Sequence, residues 1–352
     1  MSATASSPVR RDGAPPRRPA VARRAVPLLI GAGAATVIVA IIGFGVGSHP
    51  IAPAQVFEAV TAYDPTRNDH LVVIASRLPR AVLGILVGAV LGVAGALMQS
   101  LTRNPLADPG ILGVNAGASL LVVVAIAYLG VTSIHGYVWF AFLGAALAAV
   151  LVFALGSAHR SGATPVRFAL AGTAVAIAIG AVTQMILISN ETAFQYFRFW
   201  SVGSLQGRGF DVIVAVLPFL AVGIAIALLL ARPLDTLALG DATARSLGTP
   251  VGGVRIATAL AVVLLSGGAT AAAGPIGFIG LAGAHIARQI VGNAHRWLIP
   301  CSILVGACLL VCADALGRAL VAPADLQSGI AAALLGSPLF IALVRSRRVA
   351  SL

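Results

Sequence analysis

The chain has 352 residues, of which 59% are hydrophobic and only 10% are charged, and its mean hydropathy is +0.99. This composition excludes a soluble domain, which would need far more polar surface, and it indicates an all-α, polytopic membrane protein. The apolar runs are continuous and lack a period of two, which excludes a transmembrane β-barrel. All 23 basic residues are arginines, mostly in short loops, so the net charge of +12 is interpreted as membrane topology rather than nucleic-acid binding.

Two regions follow in chain order. Residues 1–24 carry six arginines among Pro, Ala and Ser and are predicted to be a disordered cytoplasmic tail. Residues 25–348 are predicted to form one transmembrane domain of ten helices. The predicted spans are 25–47, 81–101, 111–130, 136–156, 166–189, 211–231, 251–270, 275–292, 298–318 and 326–345. With both termini in the cytoplasm, seventeen arginines fall inside and six outside, which supports the count and the orientation.

The stretch 77–118 is unusual for a membrane hairpin. Two arginines, Arg77 and Arg80, precede a long apolar run that ends in a polar corner. The corner is predicted to be a structural turn built on Asn104, Pro105, Asp108 and Pro109. After it, Pro109 is followed by an Ala-Gly-Ala sequence at the same spacing as after Pro275, which indicates either two related halves or a chance match in a chain rich in Ala and Gly.

The sequence lacks the residue patterns that are typical of ion coupling, ATP hydrolysis, catalysis and metal binding. None of the eleven carboxylates falls in the middle of a predicted span, which argues against a proton- or sodium-coupled carrier, although backbone carbonyls can also bind sodium. The chain has no lysine and therefore no phosphate-binding loop, so any ATP hydrolysis would require another polypeptide. No Ser-His-Asp set or metal motif is recognisable. The isolated cysteines and histidines, Cys301, Cys308, Cys312, His285 and His295, are interpreted as packing or interfacial residues.

Five motifs occur in a characteristic order: RLPR, GALMQSLTRNPLADPGILGVNAGA, LALGDATARSLG, GPIGFIGLAGAHIARQIVG, and DALGRAL followed by DLQSGIAAALLGSPLFIALV. Together they resemble the FecCD/BtuC-type permeases, the membrane subunits of ABC importers for iron-siderophores, haem and cobalamin. The resemblance covers residues from about 55 to 348. It departs from the family at Ala284 and Gln327, where the family has prolines, and both changes would relax a local kink or turn.

The resemblance implies roles at both membrane faces. Arg77, Arg80 and Arg318, which the arginine count places outside, would be exposed charges that dock glutamates of a substrate-binding protein. On the cytoplasmic side, the short-helix stretch 237–248 would couple to the ATPase subunit. The predicted coupling residues are Leu239, Gly240, Asp241, Ala244, Arg245, Ser246, Leu247 and Gly248.

The resemblance also implies a pathway and a gate along the fifth span and at the break of an apolar run near Pro275. The candidate residues are Ser161, Thr164, Leu170, Gly172, Pro275 and Gly277.

The sequence therefore predicts an inner-membrane permease for ferric siderophores that works by alternating access. Its expected partners are a second permease, identical or related, two ATPase subunits that carry the ATP and Mg²⁺, and a soluble or lipid-anchored binding protein. No cofactor or metal is expected in this chain, and no enzymatic activity. The alternatives are a haem or cobalamin permease of the same family and, in another class, an ion-coupled secondary carrier.

Overall fold

The structure, a computed structural model, describes residues 18–47, 49–157 and 165–345, and the regular elements in these residues are helical. The α-helices are α1 Arg18–Gly45, α2 Pro53–Thr61, α3 Asn68–Leu71, α4 Leu78–Thr102, α5 Val114–Leu129, α6 Ile134–Ser157, α7 Pro165–Ser189, α8 Glu191–Trp200, α9 Phe210–Leu229, α10 Ala231–Leu237, α11 Asp241–Ser246, α12 Val251–Ala273, α13 Ile279–Val291, α14 His295–Leu320 and α15 Ser328–Arg345. A π-helical segment, Val72–Arg77, joins α3 to α4, and a 3₁₀ turn, Pro109–Leu112, precedes α5.

Each of the ten predicted spans coincides with one of these helices. Within the described residues, seven helical stretches are long and apolar enough to cross a membrane. Three predicted spans are shorter by this measure: α5, α13 and the apolar part of α15. The protein is thus an all-helical membrane protein, and the count of ten stays a prediction. The first helix begins at Arg18, seven residues before the predicted boundary, and α13 continues unbroken through Ala284.

The bundle is centred on α4 and α14, two largely buried helices that pack antiparallel through small residues. A Cβ atom added at Gly88 would lie 2.5 Å from the Gly306 carbonyl oxygen, and one added at Gly92 would lie 2.2 Å from the Ser302 carbonyl oxygen. Each step of four along α4 is matched by a step of four back along α14, which is one continuous antiparallel register. Small residues allow this close backbone approach, which supplies packing energy where lipid provides no hydrophobic driving force.

We expect Gly92→Ala to destabilise the protein by about 1 to 3 kcal/mol, because the new methyl group would overlap the backbone of α14 and force the two helices apart. The matched control is Gly180→Ala on α7, where a Cβ atom would meet no atom of the described residues within 4 Å. That variant should be neutral or more stable, because alanine favours a helix. Thermal unfolding in detergent measures both variants, and equal melting temperatures would contradict the packing assignment.

The order of elements repeats along the chain. In the first half, α4 is followed by a proline-containing break and by α5, which packs closely on α6 where Gly117 meets Gly144. In the second half, α12 is followed by a break at Pro275 and by α13, which packs on α14 where Gly283 meets Gly306. The two halves thus share the order helix, break, helix, and their relation stays a prediction.

Candidate functional site

One end of the bundle holds a buried group of charges, here called the arginine cluster: Arg77, Arg80, Asp314, Arg318 and Asp325. Arg80 donates from Nε and Nη2 to the Asp314 carboxylate at 2.9–3.2 Å and from Nη1 to Asp325 Oδ2 at 3.3 Å. Arg318 Nε lies 3.2 Å from Asp314 Oδ2. Asp314 therefore interacts with two guanidinium groups. The cluster connects α4 with α14 and with the segment before α15.

The other hydrogen bonds of the guanidinium groups in the cluster are to backbone carbonyls at the end of α1 and just after it. Arg318 Nη1 donates to the Gly43 carbonyl at 2.6 Å and to the Val46 carbonyl at 2.9 Å. Arg77 donates to the carbonyls of Phe44 and His49. The last carbonyls of a helix lack intrahelical partners and carry partial negative charge, so two arginines are suitable groups to satisfy them.

The three arginines are only 7–8% exposed, whereas the sequence predicts exposed docking charges. The prediction of exposure is wrong because acceptors within the chain, at Asp314 and at the end of α1, surround these guanidinium groups. The spacing of four between Asp314 and Arg318 on one helix could have suggested their pairing. The pairing of Arg80 with Asp314, 234 residues apart, has no local signal.

The opposite end of the bundle carries α10 and α11, called here the coupling segment, residues 231–246. Asp241, at the start of α11, accepts from Arg103 Nη2 at 2.6 Å and from Arg255 Nη2 at 2.8 Å. Arg103 also donates to the Leu237 carbonyl at 3.0 Å. This arginine clamp (Arg103, Asp241, Arg255) fixes the start of α11 to the end of α4 and to α12.

The predicted short helix is confirmed as α11, which begins at Asp241 and ends at Ser246, two residues before Gly248. Gly240 and Gly248 flank it at φ +104° and +79°, values that glycine adopts without strain. Leu239 and Leu247 are 62% and 60% exposed. Of the remaining predicted coupling residues, Ala244 is buried, whereas Arg245 and Ser246 are exposed. The helix thus exposes the basic Arg245, and an exposed leucine lies just before and just after it.

The predicted turn after α4 is present. Arg103 has the left-handed φ of +49°, the Asn104 side chain accepts from the Leu106 amide, and the Asp108 side chain accepts from the Gly110 amide at 2.8 Å. Pro105 lies within the turn, and Pro109 begins the 3₁₀ turn that leads into α5. Burial raises the pKa of the Asp108 carboxyl above its ordinary value, because desolvation disfavours the charged form.

Comparison with known proteins identifies the fold and its role. The model of the FecCD transport family matches residues 35–346, most of the chain. The chain belongs to the FecCD transport family. As members of this family are transport permeases of ABC importers, this FecCD permease is a multi-pass protein of the cytoplasmic membrane.

Named relatives agree with this assignment. The permease is 43% identical over 291 residues to a Bacillus subtilis protein named "Probable siderophore transport system permease protein YfiZ", covering 83% of this chain and 87% of the relative. It is 42% identical over 303 residues to the ferric enterobactin transport system permease protein FepD of Escherichia coli, covering 86% and 90%. A solved structure described as "An inward-facing conformation of a putative metal-chelate type ABC transporter" matches with a TM-score of 0.78 and 27% identity, covering 91% of this chain and 99% of that one.

The predicted pathway residues of this FecCD permease have mixed placements. Ser161 and Thr164 lie outside the described residues. Leu170 is 66% exposed on α7, whereas Gly172 is buried because the Ile111 carbonyl occupies the place of a side chain. Gly172 therefore packs against Ile111, and its role in the pathway stays a prediction.

The predicted break between α12 and α13 is confirmed at residues 274–278. Pro275 is half-buried there and Gly277 is exposed.

The permease also contains a Ser-His-Asp arrangement, although no such set is recognisable in the sequence. Ser100, His295 and Asp235 form a hydroxyl–imidazole–carboxylate series, with 2.7 Å between neighbouring atoms at both joints. The three residues come from α4, α14 and α10, so their separation in the chain conceals the set. The Ser100 hydroxyl already donates to the Ala96 carbonyl and accepts from Arg288, which makes it a structural group rather than a nucleophile.

Proposed function

We propose that this permease carries ferric siderophores across the cytoplasmic membrane by alternating access, driven by ATPase subunits that bind the coupling segment. The observation that carries the proposal is the exposed helix α11 held in place by the arginine clamp. A loop that only connected two spans would not need a helix fixed by two charge-assisted hydrogen bonds. The siderophore assignment rests on the names of the relatives.

The two ends of the bundle support an orientation with both termini in the cytoplasm. The contacts of Asp241 place Arg103 and Arg255 at the end with α11, and positive residues near the membrane favour the cytoplasmic side. The arginine cluster lies at the other end of α4 and α14 and would therefore face outside. Burial and internal pairing neutralise much of its charge, which is compatible with an outward position.

A binding protein would dock at that outer face. The buried arginines support docking indirectly, because they hold α1, α4 and α14 together beneath the surface that a partner would touch. An ordered surface reduces the conformational entropy that is lost on binding, which favours a partner that must bind and release repeatedly.

The translocation path would lie between this chain and a second permease, identical or related. Helices α6, α7 and α9 expose many large apolar side chains, among them Leu147, Ile177 and Leu228, that lipid or a second permease can cover. Movement of the two permeases around this interface would open the path alternately to the two sides.

Substrate uptake tests the proposal. Cells that lack their own permease are given this chain with its ATPase and binding protein and are offered ⁵⁵Fe-labelled ferric enterobactin, a ferric hydroxamate, ferric citrate and, separately, haem and cobalamin. We expect accumulation of at least one ferric siderophore and loss of uptake when the ATPase carries an inactive ATP site. Uptake of haem or cobalamin alone would reassign the substrate. Uptake that survives the inactive ATPase and stops with the proton gradient would support a secondary carrier instead.

A further inference from the structure

His295 joins the coupling segment to the centre of the bundle. Its Nδ1 atom lies 2.7 Å from Asp235 Oδ1, and the same oxygen accepts from the His295 backbone amide at 2.9 Å. Its Nε2 atom lies 2.7 Å from Ser100 Oγ. The His295 side chain is 2% exposed, whereas that of Asp235 is 38% exposed. The imidazole therefore bridges a carboxylate at the surface and a hydroxyl inside the bundle.

The hydrogen bonds among Asp235, His295 and Ser100, here called the His295 joint, form a complete set. Asp235 accepts twice, from the His295 amide and from Nδ1. Ser100 Oγ donates to the Ala96 carbonyl at 2.8 Å and accepts from Arg288 Nη2 at 3.1 Å. His295 Nδ1 lies within hydrogen-bond distance of the Asp235 carboxylate, which can only accept, and Nε2 lies within hydrogen-bond distance of Ser100 Oγ. Each partner is then satisfied, which rigidifies the joint.

The His295 joint lies at one end of the α4–α14 pair, where a displacement would reach both helices. Ser100 and His295 continue the antiparallel register in which Gly92 meets Ser302 and Gly88 meets Gly306. The same register ends at the ion pair of Arg80 with Asp314, twenty residues from Ser100, or about 30 Å along a helix. Helices α4 and α14 are thus joined by polar contacts at both ends and by glycine packing between them.

The coupling segment is attached to this helix pair at two points. Asp241 is held by Arg103, just beyond the end of α4, and Asp235 is held by His295 at the start of α14. Asp241 is bound by the exposed Arg103 and the half-buried Arg255, whereas the imidazole of His295 is buried. A displacement of α10 would therefore act on both helices through one imidazole.

We propose that His295 is a positioning residue that transmits displacement of the coupling segment to the α4–α14 pair. The inference rests on the proposed function, because the displacement would come from a bound ATPase. Loss of the joint should leave ATP hydrolysis running while less substrate is moved for each ATP consumed.

The test uses the full transporter in proteoliposomes, with its ATPase, its binding protein and the ⁵⁵Fe-labelled chelate that the wild-type cells accumulate in the uptake panel. Ser100→Ala removes one end of the joint and His295→Gln disrupts its centre. We expect each variant to lower the moles of chelate imported per mole of ATP about fivefold, the factor that corresponds to one lost hydrogen bond, with ATP hydrolysis within about twofold of wild type. The double variant should be no worse than the poorer single variant, because both changes break the same joint.

Ser302→Ala on α14 is the matched control. Its hydroxyl is buried but has no hydrogen-bond partner within the described residues, so its removal should leave the import ratio unchanged. An import ratio for Ser100→Ala equal to that of Ser302→Ala would overturn the role of His295, even if His295→Gln fails to assemble. A wild-type complex that imports none of the chelates under ATP would instead overturn the proposed function itself.

Discussion

Asp314→Asn should lower the free energy of unfolding by about 3 to 5 kcal/mol, one of the two largest effects that we expect in this protein. The carboxylate is 4% exposed and faces the guanidinium groups of Arg80 and Arg318. Its neutralisation leaves two buried positive charges close together, and among the described residues Asp325 is then the remaining charged partner of Arg80. Denaturant or thermal unfolding of the purified permease in detergent measures the change.

The matched control for this prediction is Asp211→Asn. Asp211 lies in the first turn of the long apolar helix α9, its side chain is 52% exposed and its partner is the exposed His135. An exposed pair contributes at most about 1 kcal/mol, so this variant should unfold almost as wild type does. Equal losses in the two variants would show that the arginine cluster does not stabilise the fold.

Asp241→Asn should reduce transport by about tenfold or more with little loss of stability. The substitution removes the negative charge that Arg103 and Arg255 share and frees the start of α11 from α4 and α12. Because the side chain is 28% exposed, water can replace the lost partners, so the fold should persist while the coupling helix loses its fixed position. Uptake of ⁵⁵Fe-labelled chelate, normalised to the permease in the membrane, measures the effect.

A control for this second prediction is Glu191→Gln, which neutralises an exposed carboxylate in the first turn of α8. Its uptake should remain close to wild type. Normal uptake by Asp241→Asn would contradict the role of the clamp in coupling. Failure of that variant to reach the membrane would instead assign the clamp to folding.

The sequence predicts the helices well because each buried element is a continuous apolar run. The breaks also have local causes that can be read in advance: the turn at Asn104 to Pro109, the interruption at Pro275 and the short helix that starts at Asp241. The length and orientation of the shorter spans cannot be read in this way, since α13 has only 13 residues.

The sequence does not predict which side chains meet across the bundle. Arg80 and Asp314, or Ser100 and His295, come together only because α4 and α14 pack antiparallel in one register. Tertiary packing sets that register, and nothing near each residue signals its partner. The same limit applies to the packing of Gly172 against Ile111, which nothing near either residue signals.

The most direct test of the account is ATP-dependent import by the reconstituted complex of this permease, its ATPase and its binding protein. Proteoliposomes are loaded with ATP, treated with an ionophore that abolishes the proton gradient, and given the ⁵⁵Fe-labelled ferric siderophore outside. We predict accumulation that continues without the gradient and stops when ATP is withheld. Accumulation without ATP that requires the gradient would contradict it and would show that this chain works as a carrier of its own.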